Sequence, residues 1–240
     1  SWMKILMIKG MLLLSGLIMI GCENNKTNYN IQIHGALRDI MHNGVREGII
    51  HIADAVRDNH IYGVGALEGL DGEILLWDSK VILTRADKQG EVTVSNNAEN
   101  EKGLLLVTAK IDEWIEIPFN GKKIGKSLDD YIYEMANNNN IKLEEPFPFI
   151  LEGIFSKVKW HIISDPGLDG SHNDHMNKSW NQTDEKTEAK ILGFYSTKHH
   201  AIFTHHTTNS HMHYYDENTG LSGHVDDLIL SEYTVLKLPK

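Results

Sequence analysis

Hydrophobic and polar positions change rhythm several times along this chain, and each change predicts a different element. Residues 11–21 form an apolar run holding one serine, Ser15, preceded by Lys4 and Lys9 and followed by the polar stretch 23–30. A run of eleven is too short for a bilayer-spanning helix, which takes roughly 20 residues. A basic start, a short apolar run and a small residue before a cleavage point make the pattern of a secretory signal. From 31 to 58 the apolar positions Leu37, Ile40, Met41, Val45, Ile49, Ile52 and Val56 predict one or two short helices broken at Asn43-Gly44. After His60 the texture becomes β. Gly63, Gly65, Gly69 and Gly72 lie among apolar residues, and strands are predicted over 81–84, 91–95 and 104–108. Turn residues separate them at Asp78-Ser79, Lys88-Gln89-Gly90 and Asn96-Asn97. Ser127, with Asp130 three residues on, predicts a capped helix whose apolar face carries Leu128, Ile132 and Met135 and which ends in the run Asn137 to Asn140. A second β region is predicted over 147–163, a polar loop over 164–188, and a last β region over 190–238.

This order of short helices, strands, one helix and strands predicts an α+β (mixed α/β) fold of two β-rich lobes with few helices. Residues 1–21 read as a lipoprotein-type signal peptide and 22–30 as a polar tether. Residues 31–145 form an N-terminal β-rich lobe with helices, and 146–240 a C-terminal β lobe.

Composition narrows the partners. The chain of 240 residues carries 23 Lys and Arg against 33 Asp and Glu, a formal charge of −10, which excludes the basic footprint that nucleic acid requires. Cys22 is the one cysteine, so there is no intrachain disulfide and no thiolate metal site elsewhere. Ile20-Gly21-Cys22 resembles the lipobox of bacterial lipoproteins. The expectation is a chain lipidated at Cys22 and held at the bacterial cell envelope, periplasmic or surface, with the membrane contacted through that lipid alone. The alternative is an ordinary cleaved signal and a secreted protein.

Histidine is the unusual residue. Of fourteen, seven (His199, His200, His205, His206, His211, His213 and His224) fall within 26 positions. Residues 207–215 are rich in β-formers, residues 216–220 read as a turn, and 221–230 as the returning strand. On a strand His211 and His213 project from the same side, roughly 7 Å apart. A hairpin centred on the Asn218–Thr219 bond sets His213 opposite His224, with Cβ atoms about 5 Å apart on a shared face. Three neutral imidazoles with an open position are the arrangement of a catalytic zinc. Gly220 and Gly223 let the backbone come close beside them. Adjacent residues on a strand face opposite ways, so His199-His200 and His205-His206 read as surface residues or a minor accessory metal site.

His-x-His followed eleven residues later by Gly223-His224-Val225 is joined by Leu192-Gly193-Phe194-Tyr195-Ser196, Gly63-Val64-Gly65, Gly69-Leu70-Asp71-Gly72-Glu73, Glu152-Gly153-Ile154-Phe155 with Val158, and Leu238-Pro239. From about residue 62 to 239 the chain therefore resembles the α-acetolactate decarboxylase family. The resemblance implies a zinc ion held by His211, His213 and His224, with Glu73 at the metal as ligand or proton donor, between two β-rich lobes. It implies a small 2-hydroxy-3-oxo acid as substrate, 2-acetolactate going to acetoin and CO2, and a possible homodimer. Three positions depart from the family. The arginine expected to hold the substrate carboxylate aligns with His161, a weaker clamp than a guanidinium. The threonine before the LDGE motif is Ala66. The family's C-terminal glutamate has no counterpart before Lys240. Lys157 and Lys159 share a strand face with His161 and are candidates to replace the arginine. Two alternatives follow from the departures: a diverged zinc enzyme acting on another 2-hydroxy-3-oxo acid, or a lipoprotein that binds zinc or a small ligand without turnover.

Overall fold

The computed structural model describes residues 29–121, 127–165, 179–205 and 207–240. The leader, Cys22, most of the tether, His206 and residues 166–178 of the expected polar loop lie outside the described residues. Among the described residues the fold consists of two antiparallel sheets and three short α-helices, and no helix is long and apolar enough to cross a membrane.

The first sheet contains β1 (Gln32–His34), β2 (Ile50–His51), β3 (Ile61–Leu67), β4 (Glu73–Trp77), β5 (Lys80–Ala86), β6 (Val92–Ser95) and β7 (Lys102–Lys110). Its order is β1-β7-β3-β4-β5-β6, with β2 also on β7. Strands β3, β4 and β7 read as near-continuous apolar runs because both their faces are covered. Ile74, Leu76 and Leu106 pack beneath α2 (Ile52–Ala55), whereas Val64, Leu75 and Leu105 pack toward the second sheet. The helix break expected at Asn43-Gly44 is the end of α1 (Leu37–His42), whose C-cap is Asn43. Tyr29 already belongs to the fold, its carbonyl accepting from the Lys110 N–H at 2.8 Å.

The second sheet contains β8 (Trp114–Pro118), β9 (Phe147–Ile162), β10 (Trp180–Tyr195), β11 (Ser210–Tyr215), β12 (Ser222–Ile229) and β13 (Thr234–Pro239). β8 leads into α3 (Leu128–Asn138), where the Ser127 Oγ accepts from the Asp130 N–H at 3.1 Å, a helix N-cap. Ile132 and Met135 of that helix pack with Phe147, Phe149 and Trp160 in the core of this sheet. Two pairings decide where the site falls. β10 runs along β9 for its whole length, and the ladder continues from β10 through β11 and β12 back to β9, a closed circuit that pins the β11–β12 hairpin against the end of β9.

One sequence expectation is overturned here. Residues 180–188, expected within a polar loop, form the first half of β10, paired from Trp180↔Ile162 to Glu188↔Ile154. This half is largely exposed, so no apolar face marks it as a strand; its partner holds it there.

A candidate metal centre between the sheets

The functional side chains come from both sheets. The turn between β11 and β12 is closed by the Asp216 N–H donating to the Leu221 carbonyl and the Gly220 N–H donating to that of Asp216, with Gly220 at φ 76°. This turn fixes the register at His213↔His224, the pairing the sequence spacing predicts. Gly223 sits against β9, where an added Cβ would lie 2.5 Å from the His161 carbonyl oxygen, so the glycine permits the approach of the two strands. His161 is thereby the direct neighbour of His224 across the β12–β9 ladder.

The three histidines converge. His211 Nε2 lies 3.1 Å from His213 Nε2 and 3.2 Å from His224 Nδ1, and each residue offers one nitrogen within 4.8 Å of the others. Protons alone cannot satisfy these contacts. The Phe203 carbonyl only accepts, so His211 Nδ1, 2.7 Å away, carries the ring proton and leaves Nε2 bare in the neutral imidazole. That one lone pair faces two nitrogens, and a single donor would saturate it. Burial holds all three rings neutral: the His211 pKa is pushed down to about 4, and those of His213 and His224 fall well below the usual value, the neighbouring imidazoles adding to the effect. Two nitrogens bound tetrahedrally to one zinc ion at about 2.05 Å lie about 3.3 Å apart, close to the separations here. The donor set fits a divalent cation with an open coordination position.

Glu73 reaches this cluster from the first sheet. Gly72, at φ 117° and where an added Cβ would lie 2.4 Å from the Thr84 carbonyl oxygen, turns the chain into β4 so that Glu73, Leu75 and Trp77 face the second sheet. The buried carboxyl has one oxygen 3.6 Å from His213 Nε2, and its other oxygen accepts from the Ile163 N–H at 2.9 Å. Burial pushes its pKa up to about 7, against the pull of His161 and of the Ile163 N–H.

His161 lies 4.0 Å by Nε2 from the Glu73 carboxyl, and its Nδ1 meets both oxygens of Asp226 at 2.8 and 2.9 Å. Burial opposes its charge, yet Asp226 and Glu73 outweigh burial and its pKa is raised. Asp226 is the residue sequence reasoning missed. It sits where the β12–β9 register shifts between Val225 and Asp227, and this bulge turns its side chain onto His161. Nothing in the sequence marks a bulge; the spacing His224-x-Asp226 is the one available signal. Neither lysine candidate enters the site. Lys157 pairs with Asp227 at 3.1 Å, and Lys159 is exposed.

The other described histidines of the dense stretch 199–224 do not join the three-nitrogen cluster. The His199 ring stacks on Phe203, the residue whose carbonyl fixes His211, and its Nδ1 meets the Ser196 Oγ at 2.7 Å. His200 bonds Asn209, and His205 bonds Thr207; both are exposed.

Comparison with known proteins gives the family and the fold. The family sequence model described as alpha-acetolactate decarboxylase matches residues 32–237. Alpha-acetolactate decarboxylases of Lactococcus lactis subsp. cremoris (strain MG1363) and Lactococcus lactis subsp. lactis (strain IL1403) are each 25% identical over 202 residues, covering 80% of this chain and 77% of the relative. Among solved structures, alpha-acetolactate decarboxylase from Bacillus subtilis strain 168 superposes with a TM-score of 0.67 at 19% identity, covering 88% of this chain and 85% of the other. A Staphylococcus aureus protein of unknown function, described as similar to alpha-acetolactate decarboxylase, gives 0.65 at 17% identity over 86% and 84%. The two-sheet fold is shared with these structures. With its sequence matched almost from end to end of the described fold, the chain belongs to the alpha-acetolactate decarboxylase family.

Proposed function

We propose that this chain is a zinc-dependent carboxy-lyase converting 2-acetolactate to acetoin and CO2. The observation that carries the reading is a cluster of three neutral imidazoles, short of protons for their own contacts, closed on one side by a buried carboxyl whose pKa is about 7. His211, His213 and His224 would hold the ion, which when bound supplies Lewis-acid polarisation of the substrate ketone. Glu73 does the proton work. With a pKa near neutrality it is partly protonated at working pH, and one of its oxygens is held by the Ile163 N–H while the other faces the histidines. It is placed to return a proton to the carbon that has lost CO2. His161, oriented by Asp226, presents Nε2 4.0 Å from the Glu73 carboxyl and would meet a substrate oxygen there.

The test is acetoin formation from racemic 2-acetolactate by purified protein of measured zinc content. Expected are about one zinc per chain, turnover, loss of turnover with a chelator and recovery with added zinc. A zinc-loaded protein that forms no acetoin overturns the acetolactate reading. A second reading, zinc chemistry on a different 2-hydroxy-3-oxo acid, is favoured by the His161–Asp226 pair standing where a guanidinium is expected; CO2 release from a series of such acids distinguishes it. Purified protein that takes up no zinc excludes both.

A further inference from the structure

We propose that the Thr84 hydroxyl is a substrate-binding group of this site, donating a hydrogen bond to an oxygen of the bound 2-hydroxy-3-oxo acid beside Glu73; the identity of that ligand rests on the function proposed above. The argument starts from the ladder. Thr84 on β5 is the direct partner of Glu73 on β4, so the two side chains stand on one face, with Cβ atoms about 5 Å apart. That face looks at the second sheet, as Glu73 does. The preceding row on it, Leu75 with Ile82, is apolar core. At the Glu73–Thr84 row the wall turns polar, and on the other flank of Glu73 stands the small side chain of Ala66, followed on β7 by Leu105.

Thr84 is fully buried, and its Oγ1 has no hydrogen-bond partner. A buried hydroxyl without a partner is costly, and a β-branched apolar residue such as valine would fill the same space without that cost. A threonine in a dry sheet interior, next to a carboxyl that reaches three imidazoles, is explained when its partner arrives with the ligand. The Ala66 methyl on one side of Glu73 and the unpartnered Thr84 hydroxyl on the other flank the carboxyl with one small apolar neighbour and one unsatisfied donor.

The experiment compares Thr84→Val and Thr84→Ser with the unaltered protein in three measurements. These are zinc content, denaturation midpoint of the ligand-free protein, and affinity for 2,3-dihydroxy-2-methylbutanoate, in which the ketone is reduced so that decarboxylation is blocked. For T84V the expected result is unchanged zinc content, an equal or higher midpoint, and affinity weakened between about threefold and tenfold, the worth of one hydrogen bond. T84S restores the affinity. A lower midpoint for T84V means that the hydroxyl is already satisfied within the fold and overturns the proposal, whatever the substrate proves to be. Unchanged probe affinity, or a loss of zinc accompanying the loss of affinity, overturns it as well. Failure of the unaltered protein to bind the probe, with T84V still the more stable, sinks the acetolactate-type ligand while leaving the hydroxyl free for another oxygen-bearing ligand.

Discussion

Acidification is expected to loosen the metal-free protein chiefly through the three buried histidines. In the unfolded chain a histidine takes up its proton near pH 6.5, whereas folded His211 does so only near 4 because burial disfavours the cation. A group with its folded pKa depressed contributes stability that is present above the unfolded value and lost as pH falls. Between pH 7 and pH 5 the unfolded histidine becomes almost fully protonated and His211 stays largely neutral, a difference of about 2 kcal/mol. His213 and His224, whose pKa values burial also pushes well below the usual one, act in the same sense. Glu73 acts in the opposite sense. Its pKa rises from 4.5 to about 7 on folding, so its contribution is present at low pH and lost as pH rises, and over the same interval acidification returns about 2 kcal/mol. His161, also raised, adds to that side. Three depressed groups stand against two raised ones, and the expected net effect of acidification is a loss of stability. The assay is urea denaturation of chelator-treated protein at pH 7 and pH 5, for the unaltered chain and for His211→Gln. The drop in unfolding free energy is expected to be smaller in H211Q by about 2 kcal/mol, because histidines outside the cluster respond alike in both proteins. An equal drop in both refutes the claim that the cluster is buried and neutral.

Two further outcomes test the hairpin geometry. His224→Ala removes one of three nitrogens around a common point, and zinc retained after dialysis is expected to fall well below one per chain; full stoichiometry by atomic absorption would show that His224 is not a ligand. Gly223→Ala puts a Cβ 2.5 Å from the His161 carbonyl, where neither backbone can yield without moving β12 off β9, so a loss of about 1–3 kcal/mol in stability is expected together with weaker zinc retention. A denaturation midpoint and zinc content equal to those of the unaltered protein would refute that close approach.

The local features of the site were legible in the sequence. The spacing of His211, His213 and His224 across a short turn predicts both their shared face and the His213↔His224 pairing, because turn length sets the register of a hairpin and period two sets the face. The Ser127 cap and the helix break at Asn43 are read in the same way, from residues that act on backbone groups within one turn of themselves. Residues 180–188 were not legible, because an exposed polar strand has no apolar stripe and is held in place by its partner.

Sequence by itself determined the class of fold, the three-histidine hairpin and the resemblance that brought Glu73 and His161 into consideration. Only the tertiary structure decided that β9 closes the ladder onto β12 and sets His161 beside His224, that a bulge turns Asp226 onto that ring, and that Thr84 stands unpartnered next to Glu73. The physical reason is range. Hairpin register and helix caps are set by neighbours along the chain, whereas burial, orphaned hydrogen-bonding groups and shifted proton affinities exist only once two sheets assembled from distant segments exclude water between them.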